Sequence, residues 1–167
     1  VQKAIADTFN GVEPLYTDEQ LQTALMQFQT DLAAKREAER QAKLADALAK
    51  STAYLEENAK RPEVTTTESG LQFETITEGT GPTPAEGDAI RLHYRGTLID
   101  GTEFDNSRDP RRSGEPVTFD VTEGSLIEGF IEALKLTKVG GKYKVYIPPA
   151  LGFGELDTGD IPANSTL

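Results

Sequence analysis

Residues 92–105 read LHYRGTLIDGTEFD. With Ile90 and Arg91 before it, the stretch opens as a two-residue alternation. Ile90, Leu92 and Tyr94 share one face of a strand, and Arg91, His93 and Arg95 share the other. Asp100–Gly101 is a hairpin signal that returns Thr102–Asp105 alongside and brings Phe104 and Asp105 to the apolar face. Two consecutive residues cannot both face one side of a regular strand, so a bend is expected there. Asp105 would then accept a hydrogen bond from the Tyr94 hydroxyl. The competing reading makes Asp105 a solvated turn residue.

His93 is the only histidine in the chain. Its face, between Arg91 and Arg95, offers no partner to orient a general base, so a surface position is expected rather than a catalytic one. The chemistry belongs to the apolar and aromatic face.

Working outward, TTTESGLQFETI (65–76), AIRLHYRGTL (89–98), TEFD (102–105), VTFDV (117–121) and KYKVYI (142–147) read as strands, and SLIEGFIEALKL (125–136) as one short helix. Short strands with one helix predict an α+β fold built on an antiparallel β-sheet. Upstream the texture is different. VQKAIADTF (1–9) reads as the end of an amphipathic helix, broken at Asn10, Gly11 and Pro14. Thr17–Gln20, TDEQ, is a capping box. From Asp18 to about Lys60 there is neither Gly nor Pro, which predicts one helix of roughly 65 Å. Leu21, Leu25, Phe28 and Leu32 form a single apolar stripe on it. Residues 33–43 offer only alanines and charges, and Leu44, Leu48 and Leu55 restore apolar character. A helix with one apolar end and a bare middle predicts a spacer more than a helix folded back on its own domain. Arg61–Pro62 ends it. The expected division is therefore residues 1–62, a helical region with the long helix at 18–60, and residues 63–167, a β-rich domain.

The chain has 167 residues, 37% hydrophobic and 27% charged, the composition of a soluble globular protein. Its net charge is −11, with −2 in residues 1–61 and −9 in residues 62–167. That balance repels nucleic acid and anionic lipid. No run approaches the roughly 18 apolar residues of a membrane span. The absence of cysteine excludes disulfides, thiolate nucleophiles and Cys-ligated metals. ELDTGD (155–160) lacks the alternating carboxylates of a calcium loop and reads as a turn, and RDPRR (108–112) as solvated surface. The chain opens without Met inside a helix-like stretch and stops at Leu167, where an apolar strand is expected to begin.

HYRGTLIDGTEFDNS, LIEGFIEAL, VGGKYKVYIPPALGFGE and IPANSTL, in order from about Ser69 onward, resemble the FKBP-type peptidyl-prolyl cis–trans isomerases. GVEPLYTDEQLQTALMQFQ with the long helix resembles the bacterial subgroup of macrophage infectivity potentiator and related periplasmic folding helpers. The resemblance implies an antiparallel sheet wrapped on the short helix, a homodimer through the N-terminal helices, and a final strand after Leu167. It implies proline-containing unfolded polypeptides as substrates and rapamycin-type macrolides as inhibitors, with no cofactor and no metal. It implies a periplasmic or outer-membrane-associated setting in a Gram-negative bacterium, with a cytoplasmic one as the alternative.

The same resemblance assigns a pocket. Tyr94, Phe104 and Asp105 form one wall, and Val117 and Phe119 come from the next strand. Leu126 and Ile127 form an apolar edge, with the Ile127 N–H as donor to a substrate carbonyl. Phe130 is the floor, Phe153 the rim and Ile161 the far loop. The family's usual floor is tryptophan and its usual rim tyrosine, so Phe130 lacks an N–H and Phe153 a hydroxyl. A rival reading is a dimeric client-binding chaperone whose isomerase activity is incidental.

Overall fold

The structure is a computed structural model and describes residues 16–111 and 113–167. The helix end expected at 1–9, its break at 10–14 and Arg112 lie outside the described residues. By internal contacts the chain separates into residues 1–43 and 44–167.

Helix α1 spans Asp18–Asn58. The capping box closes at its start: the Thr17 N–H donates to Gln20 Oε1 at 2.9 Å, and the Gln20 N–H donates to Thr17 Oγ1 at 3.2 Å. In the first unit the stripe is largely uncovered among the described residues, with Leu21, Leu25 and Phe28 exposed at 48%, 59% and 64% and Leu32 half-buried. Residues 33–43 are solvated on every side. Arg40 donates to Glu37 at 2.8 Å, and this bond, followed by one from Gln41, lowers the Glu37 carboxyl to about 2.

In the second unit α1 is not a bare spacer. Leu44, Ser51 and Asn58 are buried and Ala47, Tyr54 and Leu55 half-buried, a stripe at helical spacing that lies on the domain. Leu48, expected on the apolar face, is 47% exposed. The contact is polar where the sequence suggested leucines: Asn58 Nδ2 donates to Gln72 Oε1 at 2.8 Å, and Gln72 Nε2 donates to the Leu55 carbonyl at 2.9 Å.

The strands are β1 (Val64–Thr66), β2 (Gln72–Thr77), β3 (Ala89–Leu92), β4 (Arg95–Thr97), β5 (Glu103–Asn106), β6 (Val117–Asp120) and β7 (Lys142–Tyr146). All pairings are antiparallel, as expected, but they form three ladders: β1-β2-β7, β3-β6 and β4-β5. The run 89–98 therefore breaks into two strands with different partners. At the break Ser107 takes over the backbone of Tyr94. Its N–H donates to the Tyr94 carbonyl at 3.0 Å, and the Tyr94 N–H donates to its Oγ at 3.0 Å. Leu167 and Ile147 exchange two backbone hydrogen bonds, at 2.9 and 3.1 Å.

Helix α2 (Glu128–Leu136) buries Gly129, Ile131, Ala133 and Leu134. Two apolar clusters flank it. Leu71, Ala133 and Ile147 make one, and Val121, Ile131 and Leu134 the other; Phe130 packs against both. Gly129 lets the helix approach closely, since a Cβ there would lie 2.5 Å from Ile147 Cγ2. Fully burying an aliphatic side chain such as Leu71 contributes roughly 1.5–3 kcal/mol.

Candidate active site

The hairpin of β4 and β5 builds the first wall. The Leu98 N–H donates to the Thr102 carbonyl at 2.8 Å, so the loop is Ile99-Asp100-Gly101, three residues rather than the two that Asp-Gly suggested. Gly101, at φ 88°, supplies the left-handed position that such a loop needs. In the ladder Gly96 faces Asp105 and Thr97 faces Glu103, which leaves Phe104 as the extra residue of a β-bulge. The bulge is the bend that the sequence required. It turns the Phe104 ring over Gly96, where an added Cβ would lie 2.5 Å from Phe104 Cζ, and it aims Asp105 at Tyr94. The Tyr94 hydroxyl donates to Asp105 Oδ2 at 2.5 Å, and the Asn106 N–H donates to Oδ1 at 2.8 Å. Asp105 is a fixed, half-buried carboxylate rather than a solvated turn residue.

Three rings meet behind it. Tyr94 and Phe119 lie 5.5 Å apart, Phe119 and Phe130 5.5 Å, and Tyr94 and Phe130 6.3 Å, all edge-on. Edge-to-face packing sets positive ring edges against negative faces and adds roughly 0.5–1.5 kcal/mol per pair. Each ring comes from a different element: Tyr94 between β3 and β4, Phe119 from β6 opposite Ile90, and Phe130 from α2. Val117 pairs with Leu92 in the same ladder, and Leu126 packs on the cluster around Ile131.

Ile127 caps α2 in an extended conformation and packs with Phe130 on the Leu71 cluster. Its carbonyl accepts from Phe130 and Ile131, while among the described residues its N–H has no hydrogen-bond partner. A donor left open at the start of the helix that carries Phe130 is suited to a carbonyl of an incoming chain. Phe153 and Ile161 lie on the segment after the 3-10 turn Pro149–Leu151, half-buried and buried respectively. The Phe153 ring is not among the described aromatic pairs of the Tyr94–Phe119–Phe130 group.

A cavity of about 390 Å³ is lined by Glu103, Phe104, Asp105, Asn106, Asp109 and Arg111. Of the expected pocket residues only Phe104 and Asp105 border it, and its lining is more polar than the aromatic pocket anticipated. Arg95, then Asn106, hold the Glu103 carboxyl below the usual carboxylate range. Asp109 binds Arg111 at 2.6 Å. Among the described residues no group of His, Asp and Glu is placed to hold a metal ion.

His93 lies outside the ring group but is less exposed than its alternation implied. It is half-buried, with Nδ1 3.2 Å from Ser107 Oγ, because the chain changes partner strand at this point. The expectation that its face offers no partner is thus corrected. Ser107 is 1% exposed and bonded to both backbone groups of Tyr94, so its hydroxyl is a brace and not a nucleophile. The reading from sequence missed Ser107. The available signal was a small hydroxyl residue two places after Asp105, at the end of a hairpin that returns beside Tyr94.

Residues 81–167 match the family described as FKBP-type peptidyl-prolyl cis-trans isomerase, and residues 1–75 match the domain described as amino terminal to it. The Outer membrane protein MIP of Legionella longbeachae is 39% identical over 99% of the chain, which spans 69% of that protein. The isomerase FkpA of Aeromonas hydrophila is 38% identical over the whole chain, which spans 60% of its length. The crystal structure of FkpA from Escherichia coli superposes with a TM-score of 0.77 at 36% identity, over 99% of this chain and 75% of that one. With both parts matched in order and the long helix included, the chain belongs to the FKBP-type peptidyl-prolyl cis–trans isomerases, in the subgroup of MIP and FkpA.

Proposed function

We propose that this chain accelerates cis–trans isomerisation of X–Pro bonds in folding polypeptides. Tyr94, Phe104, Asp105, Ile127, Phe130 and Phe153 form the catalytic surface, and Val117, Phe119, Leu126 and Ile161 bind the flanking chain. Isomerisation breaks no bond, so no nucleophile is required. The barrier is amide resonance, which holds the uncatalysed reaction to tens to hundreds of seconds. In the twisted transition state the resonance is lost and the carbonyl becomes less polar. An aromatic surface that excludes water favours the twisted amide over the planar one.

The observation that carries the reading is the Tyr94–Asp105 bond of 2.5 Å at the edge of three packed rings. It holds an oriented carboxylate beside the ring group. The unpartnered Ile127 N–H supplies a donor that fixes a substrate carbonyl while the imide rotates. A protease-coupled assay on a proline-containing peptide tests the activity. A cis-to-trans rate no faster than the uncatalysed one would reject it.

A specific observation favours a second role beside the first. Leu21, Leu25, Met26 and Phe28 are all exposed on one segment of α1. Their burial in a homodimer through the N-terminal helices fits the division into residues 1–62 and 63–167 and supports chaperone activity on long clients. Similarity to the Outer membrane protein MIP of Legionella longbeachae supports an envelope setting, periplasmic or outer-membrane-associated. Rapamycin-type macrolides are the inhibitors to try, and Phe130 and Phe153 the positions that would tune their affinity. An aggregation assay on a proline-free client separates this role from catalysis.

A further inference from the structure

The segment after Pro149–Leu151 carries Phe153 and Ile161, and its stem is closed by hydrogen bonds. The Asn164 N–H donates to the Gly154 carbonyl at 2.6 Å, and the Gly154 N–H donates to the Pro149 carbonyl at 2.9 Å. Asn164 holds φ at 57°, and it is the only non-glycine residue with a positive φ among the described residues. Asparagine tolerates that region better than residues with longer or branched side chains. The loop between these ends is closed by its own bonds: Leu156 to the Phe153 carbonyl, Thr158 to the Ile161 carbonyl, and Ile161 to Thr158 Oγ1.

What fixes the stem is the long helix. Asn164 Nδ2 donates to the Leu44 carbonyl at 3.0 Å. Ser51 Oγ donates to the Asn164 carbonyl at 2.6 Å and accepts from the Thr166 N–H at 3.1 Å. Ser51 is 2% exposed and Asn164 6%. An apolar seam would tolerate sliding by a fraction of a turn. Buried polar groups do not, because each displaced group is left unpaired in a dry environment. The seam therefore specifies one placement of the stem on residues 44–51 of α1, and the loop that carries Ile161 inherits it.

We infer that Ser51 and Asn164 are positioning residues for substrate binding, acting through the 154–164 loop. Residues 44–51 of the helix are thereby part of the frame of the site. The inference rests on the isomerase reading given above for Ile161. Ile161, the residue of that loop read as binding the flanking chain, touches no reacting atom, so displacing it weakens ground state and transition state alike and the effect falls on KM and not on kcat.

The test compares wild type, Ser51→Ala, Ser51→Thr and Asn164→Gly in the full chain. Asn164→Gly keeps the left-handed conformation and removes only the side-chain bond to Leu44. Hydrogen exchange of the Leu156, Thr158 and Ile161 amides is expected to rise about tenfold in Ser51→Ala and Asn164→Gly, while the β2–β7 ladder keeps its protection. KM for a proline peptide should rise about fivefold with kcat within about twofold. Ser51→Thr, which retains the hydroxyl, should restore both. Unchanged loop exchange in both variants overturns the inference, and so does loss of ladder protection in both, which would make the seam a stability element alone. If wild type shows no isomerase activity while Ser51→Ala still frees the loop, the isomerase reading falls and the anchoring stands.

Discussion

The Tyr94 hydroxyl and the Asp105 carboxylate meet at 2.5 Å across the β4–β5 hairpin, and the bulge at Phe104 is what lets them meet. Without the extra residue, Phe104 and Asp105 would alternate faces and the carboxylate would point to solvent. Tyr94→Phe keeps the ring packing on Phe119 and Phe130 and deletes only the donor. Hydrogen bonds to charged groups contribute roughly 1.5–3 kcal/mol to stability, so Tm should fall. Loss of the hydroxyl that holds the Asp105 carboxylate should also lower kcat/KM several-fold in the protein that remains folded. Peptide kinetics beside a thermal melt check it.

Two glycines of the same hairpin should separate function from stability. Gly96 lies under the Phe104 ring, and a methyl there would push the ring out of the wall. Gly101 has open space around it but sits at φ 88°. Gly96→Ala should lower kcat/KM several-fold. Gly101→Ala should cost roughly 1–2 kcal/mol of stability and leave kcat/KM unchanged once folded. Denaturant unfolding and peptide kinetics on both variants decide this.

Phe130 belongs to the ring group and to both apolar clusters. Phe130→Ala should therefore destabilise the domain by about 3–5 kcal/mol as well as abolish most activity. Urea unfolding measures the first and the peptide assay the second. A variant that loses activity with unaltered stability would mean that Phe130 serves the pocket without joining the clusters.

On the exposed stripe, Leu25→Asp combined with Phe28→Asp should yield monomers. Peptide isomerase activity should persist, because the catalytic surface lies within residues 44–167. Refolding of a large proline-containing client should slow, since two linked sites gain effective concentration only on a long chain. Sedimentation together with both refolding assays tests this.

The local features of the fold were readable because each has a short-range cause. The Thr17–Gln20 box, the helix to Asn58, the hairpin at Gly101 and the bend at Asp105 all follow from spacing and turn chemistry. What was not readable depends on partners distant in sequence. The run 89–98 alternates cleanly, yet splits because β3 pairs with β6 and β4 with β5. His93 finds Ser107 only through that split. Ser51 and Asn58 are polar residues inside a helix and look like solvated face until Asn164 and Gln72 arrive from elsewhere in the chain. The identities of the site residues rested on the ordered family resemblance, since any one of these aromatics alone reads equally well as core.

The most direct measurement is the kcat/KM of a well-folded Asp105→Leu protein on a proline-containing peptide. Asp105 is half-buried, orients Tyr94 and sits outside both apolar clusters, so leucine should preserve the fold while removing the one oriented carboxylate of the surface. The account predicts a fall of roughly tenfold to a hundredfold with an unaltered circular dichroism spectrum. Wild-type kcat/KM in that folded variant would contradict it.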